Sequence, residues 1–68
     1  MHEISVEIDG KVITVPIKKR SIRVDSLLEK LSIYPETAVV IRGKELLCDD
    51  DRINEGEKVK IVVATSKG

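Results

Sequence analysis

The chain has 68 residues, with 12 basic and 12 acidic side chains, so its formal net charge is zero. Zero net charge and a single aromatic residue, Tyr34, argue against nucleic-acid binding, which needs cations for phosphates and rings on which bases stack. One cysteine excludes an internal disulfide, and no apolar run approaches the roughly 20 residues of a membrane helix, so we expect a cytoplasmic protein without a membrane segment.

Two alternating strands joined by a tight turn are predicted at the start of the chain. The pair Asp9-Gly10 lies between them and is typical of a two-residue hairpin turn. Pro16 has no backbone N–H, so the second strand should lie at a sheet edge or end near this residue. The residues expected to face inward are Ile4, Val6 and Ile8 in the first strand, and Ile13, Val15 and Ile17 in the second.

A short amphipathic helix is predicted next, from near Val24 to Leu31. Apolar residues recur there at i, i+3, i+4 and i+7, the period of one helix face. Ser26 with Glu29 fits a capping box, but a start near Arg23 uses the whole apolar stripe and is the preferred interpretation. A proline four residues after Leu31 prevents the helix from continuing.

Three further strands are predicted in the second half of the chain. Residues 38–42 are rich in β-branched side chains, and Gly43-Lys44 turns the chain into a short strand over 45–47. A polar connection follows, in which Ile53 should reach the core. The last strand is expected to face inward through Val59, Ile61 and Val63.

Strands grouped around one helix indicate an α+β domain, which we expect to include residues 1–68. The last strand should pair in parallel with the first at the centre of the sheet. The predicted fold is therefore β-grasp: a mixed sheet of four to five strands with one helix packed across it.

The chain resembles the ubiquitin-like sulfur-carrier family (ThiS/MoaD type), which includes the sulfur carrier of thiamine synthesis and the small subunit of molybdopterin synthase. The resemblance is carried by residues 24–31, 39–46 and 53–64, and by the terminal Gly68. The turn at residues 42–46 also resembles the corresponding hairpin of ubiquitin. Taken together, these segments cover nearly the whole chain in the order and spacing of the family.

The resemblance implies that the carboxylate of Gly68 is the reactive group. In the family, an ATP-using adenylating enzyme activates this carboxylate, and a sulfur donor converts it to a thiocarboxylate. A downstream synthase or thiolase then passes the sulfur to a metabolite or a tRNA. The carrier itself would bind no cofactor, since the ATP belongs to the activating enzyme. No Ser-His-Asp set or phosphate loop is present, so we expect no autonomous enzyme activity.

Residues 65–68 are expected to form a flexible tail, which consists of Thr65, Ser66, Lys67 and Gly68. Fully extended, four residues reach roughly 13 Å, enough to enter a partner's active site. Family members end in Gly-Gly, whereas this chain ends in Lys67-Gly68. A glycine at the penultimate position would have no side chain to obstruct a narrow channel.

Three interpretations of Lys67 remain open. The cognate activating enzyme has a wider, acidic channel; or the chain is a paralogue that binds partners without being activated; or the sequence differs from the gene product at this end. Two alternative functions accordingly stand beside sulfur transfer. One is a ubiquitin-like protein modifier joined to lysines, and the other is a noncovalent interaction module.

A docking surface is expected on the open face of the sheet, which ubiquitin-like proteins commonly use for binding. If Val39 and Ile41 face the core, Val40 faces out, and Val62 does so on the last strand. The ordinary alternative is exposed apolar surface without a role, which is common. The docking residues predicted by resemblance are Val40, Arg42, Lys60 and Val62.

Three other clusters have a simpler interpretation beside a functional one. The basic segment Lys18, Lys19, Arg20 and Arg23 is either a docking site for an acidic partner or tRNA, or a solvated connection. Residues 49–51 are three consecutive aspartates, which we interpret as an acidic turn because they lack the ligand spacing of a cation loop. Cys48 lacks an activating base and is expected to be half-buried and structural.

Overall fold

The computed structural model describes residues 2–64. Within them the strands are β1 (His2–Ile8), β2 (Lys11–Ile17), β3 (Ser21–Arg23), β4 (Ala38–Arg42), β5 (Glu45–Leu47), β6 (Arg52–Asn54) and β7 (Lys58–Val63). The helix α1 is Val24–Lys30, and a single 3-10 turn is Pro35–Thr37. The expected flexible tail, residues 65–68, lies outside the described residues.

The main sheet has five strands in the order β2-β1-β7-β4-β5. β7 is parallel to β1, with Val6 opposite Val59 and Ile8 opposite Ile61. The other neighbouring pairs of this sheet, β1–β2, β4–β7 and β4–β5, are antiparallel. The last strand is therefore central and parallel to the first, which confirms the predicted α+β, β-grasp arrangement.

The first hairpin forms where the sequence predicts it. Asp9 and Gly10 both have positive φ, at 53° and 78°, as a two-residue turn between right-twisted strands requires. Pro16 lies in β2, opposite Glu3 of β1. β2 is an edge strand of the five-stranded sheet, so the missing proline N–H breaks no ladder on its open side.

The helix begins at Val24, with Arg23 as its N-cap residue and no side-chain cap hydrogen bond. The earlier start is thus confirmed, and the capping box at Ser26 is wrong. The first helical amides are satisfied by the backbone of the acidic connection. Val24 N donates to Asp51 O at 2.9 Å, and Asp25 N donates to Asp49 O at 3.0 Å.

A two-stranded ribbon, β3 with β6, was not predicted from the sequence. Ile22 lies opposite Ile53 in this antiparallel pair, and Ile53 has no exposed surface, as predicted. Strands of three residues are too short to display alternation, so the sequence indicates only connections at both places. The ribbon closes the core at the end of the sheet where β1 begins, because β3 follows the end of β2 and leads into α1.

The core lies between α1, the ribbon and the inner face of the sheet. Its buried residues are Ile4, Val6, Val15, Ile17, Val24, Leu27, Leu28, Val40, Leu47, Ile53, Val59 and Ile61. Ile13 and Val63, expected to face inward, are exposed. A helix of seven residues is only about 10 Å long. The helix is shorter than a six- or seven-residue strand of about 20 Å, so it does not cover the end of the sheet where β2 begins.

One strand faces the opposite way from its prediction. Val40 is buried at 2% relative exposure, whereas Val39 is 43% exposed. Val40 lies opposite Ile61 and Leu47, both buried, so the three side chains share the inner face. The expectation that Val39 and Ile41 face the core is therefore wrong.

Candidate functional site

The outer face of the sheet, on the side away from α1, carries a cluster of apolar side chains from three neighbouring strands. We call Val39, Ile41, Leu46 and Val62 the outer-face patch. Val39 lies directly opposite Val62 across the β4–β7 ladder, and Ile41 lies opposite Leu46 across β4–β5. Facing positions in a ladder bring side chains to about 5 Å from one another, so the patch is contiguous.

The patch is well exposed for apolar surface. Relative exposure is 66% for Leu46, 45% for Val62 and 43% for Val39. Leu46 belongs to the edge strand β5, so one flank of the patch is open to an approaching partner. A contiguous exposed apolar area of this kind is more informative than scattered single residues, since it marks interaction surfaces.

Charged residues border the patch on the β1 side. Lys60 lies opposite both Glu7 of β1 and Ile41 of β4. Lys58 Nζ is 3.9 Å from Glu7 Oε1, a long and weak ion pair between an exposed lysine and a half-buried glutamate. A shallow depression of about 370 Å³ passes between these residues and Gly43. The arrangement suits a partner with an apolar centre and polar flanks.

Of the four predicted docking residues, Val62 and Lys60 lie on the outer face as expected. Val40 does not, because it is in the core. The patch residues that the sequence missed are Val39, Ile41 and Leu46. Residues 38–41 are all apolar, so alternation could not show which of them face the core. The available signal for the patch was Leu46, because a two-residue turn after Arg42 places Leu46 opposite Ile41.

Arg42 is engaged within the protein rather than free for a partner. Its guanidinium donates to Glu57 Oε1 at 3.0 Å, to the carbonyl of Arg52 at 3.0 Å and to Glu45 Oε1 at 3.2 Å. Hydrogen bonds with Glu45 and then Glu57 raise the pKa of Arg42 above its usual value. Arg42 therefore ties the β4–β5 hairpin to β6 and to the turn before β7.

Glu57 is the common acceptor of this network. Its Oε1 also accepts the backbone N–H of Asn54 at 2.8 Å. The hydrogen bond from that amide, followed by the guanidinium of Arg42, lowers the pKa of Glu57 below its ordinary value of 4.5. In its charged form, the Glu57 carboxylate thus stabilises the turn that precedes β7.

The chain is fixed at Ala64, just after the end of the central strand. Ala64 N donates to Thr37 O at 2.7 Å, which attaches the chain to the 3-10 turn just after β7 ends. Val62 of the outer-face patch lies three residues before Thr65 in the chain. The predicted reactive residue Gly68 and the tail residues Lys67, Ser66 and Thr65 lie outside the described residues.

The remaining candidates are accounted for locally. Cys48 is exposed, so the expectation of a half-buried residue is wrong. Its N–H donates to Asp51 Oδ2 at 2.7 Å, and Asp51 N donates back to Cys48 O at 3.0 Å, which makes residues 48–51 a closed turn. Among residues 2–64 there is no group of acidic, histidine or cysteine side chains suited to a metal ion. No helix in the same range is long and apolar enough to cross a membrane.

Comparison with solved structures identifies the fold. The ubiquitin-like domain of Plasmodium falciparum Dsk2 superposes with a TM-score of 0.73 and 22% identity, covering 93% of this chain and 97% of the other. This chain has the ubiquitin-like β-grasp fold. The N-terminal ubiquitin-like domain of the 4931431F19Rik protein gives a TM-score of 0.71 at 20% identity, over 98% of this chain and 78% of the other. A computationally designed protein based on human ubiquitin gives 0.66 at 17%, over 100% and 98%.

Sequence comparison points to a more specific relative. The chain matches no protein-family model. It is similar to sulfur carrier protein TtuB of Thermus thermophilus, with 40% identity over 42 residues. The matched segment is 62% of this ubiquitin-like chain and 65% of the relative, so it spans slightly less than two thirds of that protein.

Proposed function

We propose that this chain is a single-domain sulfur carrier whose Gly68 carboxylate is adenylated and then converted to a thiocarboxylate. The observation that carries the proposal is the 40% identity with sulfur carrier protein TtuB over 42 residues. The ubiquitin-like fold supports it, because a carrier of this kind needs only a stable domain and a reactive terminus. The proposed partners are an adenylating enzyme, a sulfur donor and a downstream synthase or thiolase.

The chemistry explains why a partner must supply ATP. A carboxylate is a poor electrophile, since its charge opposes nucleophilic attack and it has no good leaving group. When the carboxylate oxygen attacks the α-phosphorus of ATP, pyrophosphate leaves and an acyl-adenylate forms. A donor carrying sulfur at the oxidation level of sulfide then attacks the acyl carbon, and AMP leaves. The carrier provides no catalytic side chain for either step.

The described structure supports a role for the outer-face patch in this transfer. Val62 is on the patch and on the same strand that leads to the tail, while the Ala64–Thr37 hydrogen bond fixes the strand's end. A partner that binds the patch therefore also fixes the origin of the tail. Holding two reacting groups in one geometry is worth several kcal/mol of barrier, so this coupling favours reaction at Gly68.

Lys67 is the feature that decides among the interpretations. If the cognate enzyme has an acidic channel, Lys67 contributes to recognition; if the channel is narrow, it hinders entry. Lys67→Gly removes both the charge and the bulk. We expect Lys67→Gly to be activated at least as well as wild type by an enzyme that accepts Gly-Gly tails, and less well by a cognate enzyme with an acidic channel.

The test is ATP–pyrophosphate exchange catalysed by the activating enzyme, with wild type, Lys67→Gly and the deletion of Gly68. Deletion places the lysine side chain beside the reacting carbon, so exchange should fall to background. Intact mass spectrometry of protein from its native cell should show replacement of one oxygen by sulfur. Equal exchange with and without Gly68 would overturn the carrier proposal.

A noncovalent interaction module is the second candidate. The outer-face patch favours it, because such a surface binds partners whether or not the terminus reacts. This function predicts that the Gly68 deletion binds its partner as tightly as wild type. It also predicts that the deletion causes no loss of function in the cell. A protein modifier, by contrast, would need Gly68 and would appear as lysine conjugates rather than as a thiocarboxylate in the same mass spectra.

A further inference from the structure

A second groove lies at the other end of the molecule, between α1, the β2–β3 connection and β6. Its volume is about 450 Å³. It is lined by Ile17, Lys18, Lys19, Ser21, Ile22, Arg23, Ser26, Glu29, Lys30 and Arg52. We call this the cationic groove. It joins the basic segment identified in the sequence with Lys30 of the helix and Arg52 of β6, two cations that are distant from that segment in the chain.

The charges of the cationic groove are unbalanced. Among its lining residues in the described range 2–64, five are cations and Glu29 is the only acid. Arg23 pairs with Asp25 at 2.9 Å. Within residues 2–64, no carboxylate oxygen lies within 4.0 Å of the ammonium groups of Lys18, Lys19 or Lys30. Like charges that are brought together by folding and left unpaired repel one another, so an anionic partner would relieve the repulsion.

Arg52 is held in place at the groove by a neutral partner. Its guanidinium donates to Ser21 Oγ at 3.3 Å across the β3–β6 ribbon. The charge of Arg52 is thereby fixed in position but not neutralised, whereas Arg42 on the opposite side of β6 has two carboxylate partners. The protein as a whole has zero net charge, so the excess positive charge is confined to the groove.

The lining also bears on which polyanion fits. The half-buried Ile22 and the margin of the core residue Ile17, which is 7% exposed, lie among the cations, and no aromatic side chain lines the cationic groove within the described residues. Single-stranded nucleic acid binds through rings on which bases stack, and these are missing here. An extended peptide with acidic residues on either side of an aliphatic one matches both the charge and the apolar lining.

The cationic groove is far from the end of β7. Ile17 lies opposite His2 at the start of β1, whereas the chain leaves β7 beyond Ile61, which lies opposite Ile8 at the end of β1. Seven residues of strand separate the two ends by about 20 Å. A partner in the groove would therefore leave both the end of β7 and the outer-face patch accessible.

We propose that the cationic groove binds an acidic, aliphatic-centred segment of a protein partner, independently of any reaction at Gly68. The test uses the full chain and a labelled synthetic peptide in which runs of glutamate flank a leucine pair. Binding is followed by fluorescence anisotropy at low salt, where exposed charges are least screened.

The groove variant is Lys18→Glu with Lys30→Glu. The matched control is Lys11→Glu with Lys44→Glu, which changes the net charge equally at exposed lysines outside the groove.

The groove variant should weaken peptide binding about tenfold or more, and the control by no more than about twofold. The same peptide with glutamine for glutamate should not bind, and an oligoribonucleotide of equal charge should bind more weakly than the acidic peptide. The Gly68 deletion should bind the peptide as tightly as wild type, which separates this proposal from the carrier function.

Three results would overturn the proposal. They are equal losses in groove and control variants, tighter groove-dependent binding of the oligoribonucleotide, and no binding of the acidic peptide by wild type. Circular dichroism establishes that each variant is folded. If the glutamate variants do not fold, Lys18→Gln with Lys30→Gln removes the same two charges and should weaken binding in the same direction.

Discussion

Leu28 is a core residue with no exposed surface, on the face of α1 that packs against the sheet. Leu28→Ala should destabilise the protein by roughly 2–5 kcal/mol, because it leaves a cavity in a small aliphatic core that has no aromatic side chain to fill it. Urea denaturation measures the change. Val12→Ala, at an exposed position of β2, is the control and should cost about 1 kcal/mol or less. Equal effects of the two substitutions would mean that Leu28 is not an essential core contact.

Glu57 gives the stability a defined pH dependence. Its pKa is lower in the folded protein than its ordinary value of 4.5, so the unfolded chain binds the proton more readily. The stabilisation is therefore fully present above pH 4.5 and is lost as the pH falls through the folded-state pKa. In Glu57→Gln the difference from wild type should be largest near neutral pH and shrink in acid. A difference that grows as the pH falls would contradict this assignment.

At the scale of elements, the strands that were predicted well are those in which polar and apolar residues alternate. β1 has Glu3, Ser5 and Glu7 between its apolar residues, and the hairpin turn fixes how β2 pairs with it. β4 has no polar residue over positions 38–41 because both of its faces are covered with apolar side chains, one set in the core and one in the outer-face patch. Its orientation depends on pairing with β7 and β5, which lies outside any local pattern.

The residues of the candidate site likewise divide into those that the sequence predicts and those that only the structure identifies. Val62 and Lys60 follow from the alternation of β7, and the importance of Gly68 follows from resemblance and stays a prediction. Val39, Ile41 and Leu46 required the three-dimensional ladder. The cationic groove was visible in part as a basic segment, but Lys30 and Arg52 join it only through the packing of α1 and β6.

The edge strands β5 and β2 offer a matched test of the outer-face patch. Leu46 and Val12 are both exposed apolar residues, and only Leu46 belongs to the patch. Under the proposed carrier function, Leu46→Glu should raise the KM of the activating enzyme for this chain about tenfold or more, by placing a charge at a desolvated contact, with little change in kcat. Val12→Glu should leave both constants within about twofold of wild type. Equal effects of the two substitutions would exclude a specific role for the patch.

For the whole molecule, the strand order predicts which parts open last. β7 is paired on both sides, whereas β2 and β5 are each paired on one side only within the five-stranded sheet. Amide hydrogen exchange followed by NMR should show the slowest amides in β7, with faster exchange throughout β2 and β5. If amides of β5 exchange as slowly as those of β7, the central position of β7 does not limit opening.

The central position of β7 also determines how the domain carries mechanical load. A partner that draws residues 65–68 into a channel pulls on Ala64 along the axis of β7. The ladders to β1 and β4 are then loaded in shear, so many hydrogen bonds share the force instead of breaking one after another. An edge strand in this position would be held by a single ladder. Under the proposed carrier function, the two ladders would therefore hold Ala64 in place while a partner acts on the residues beyond it.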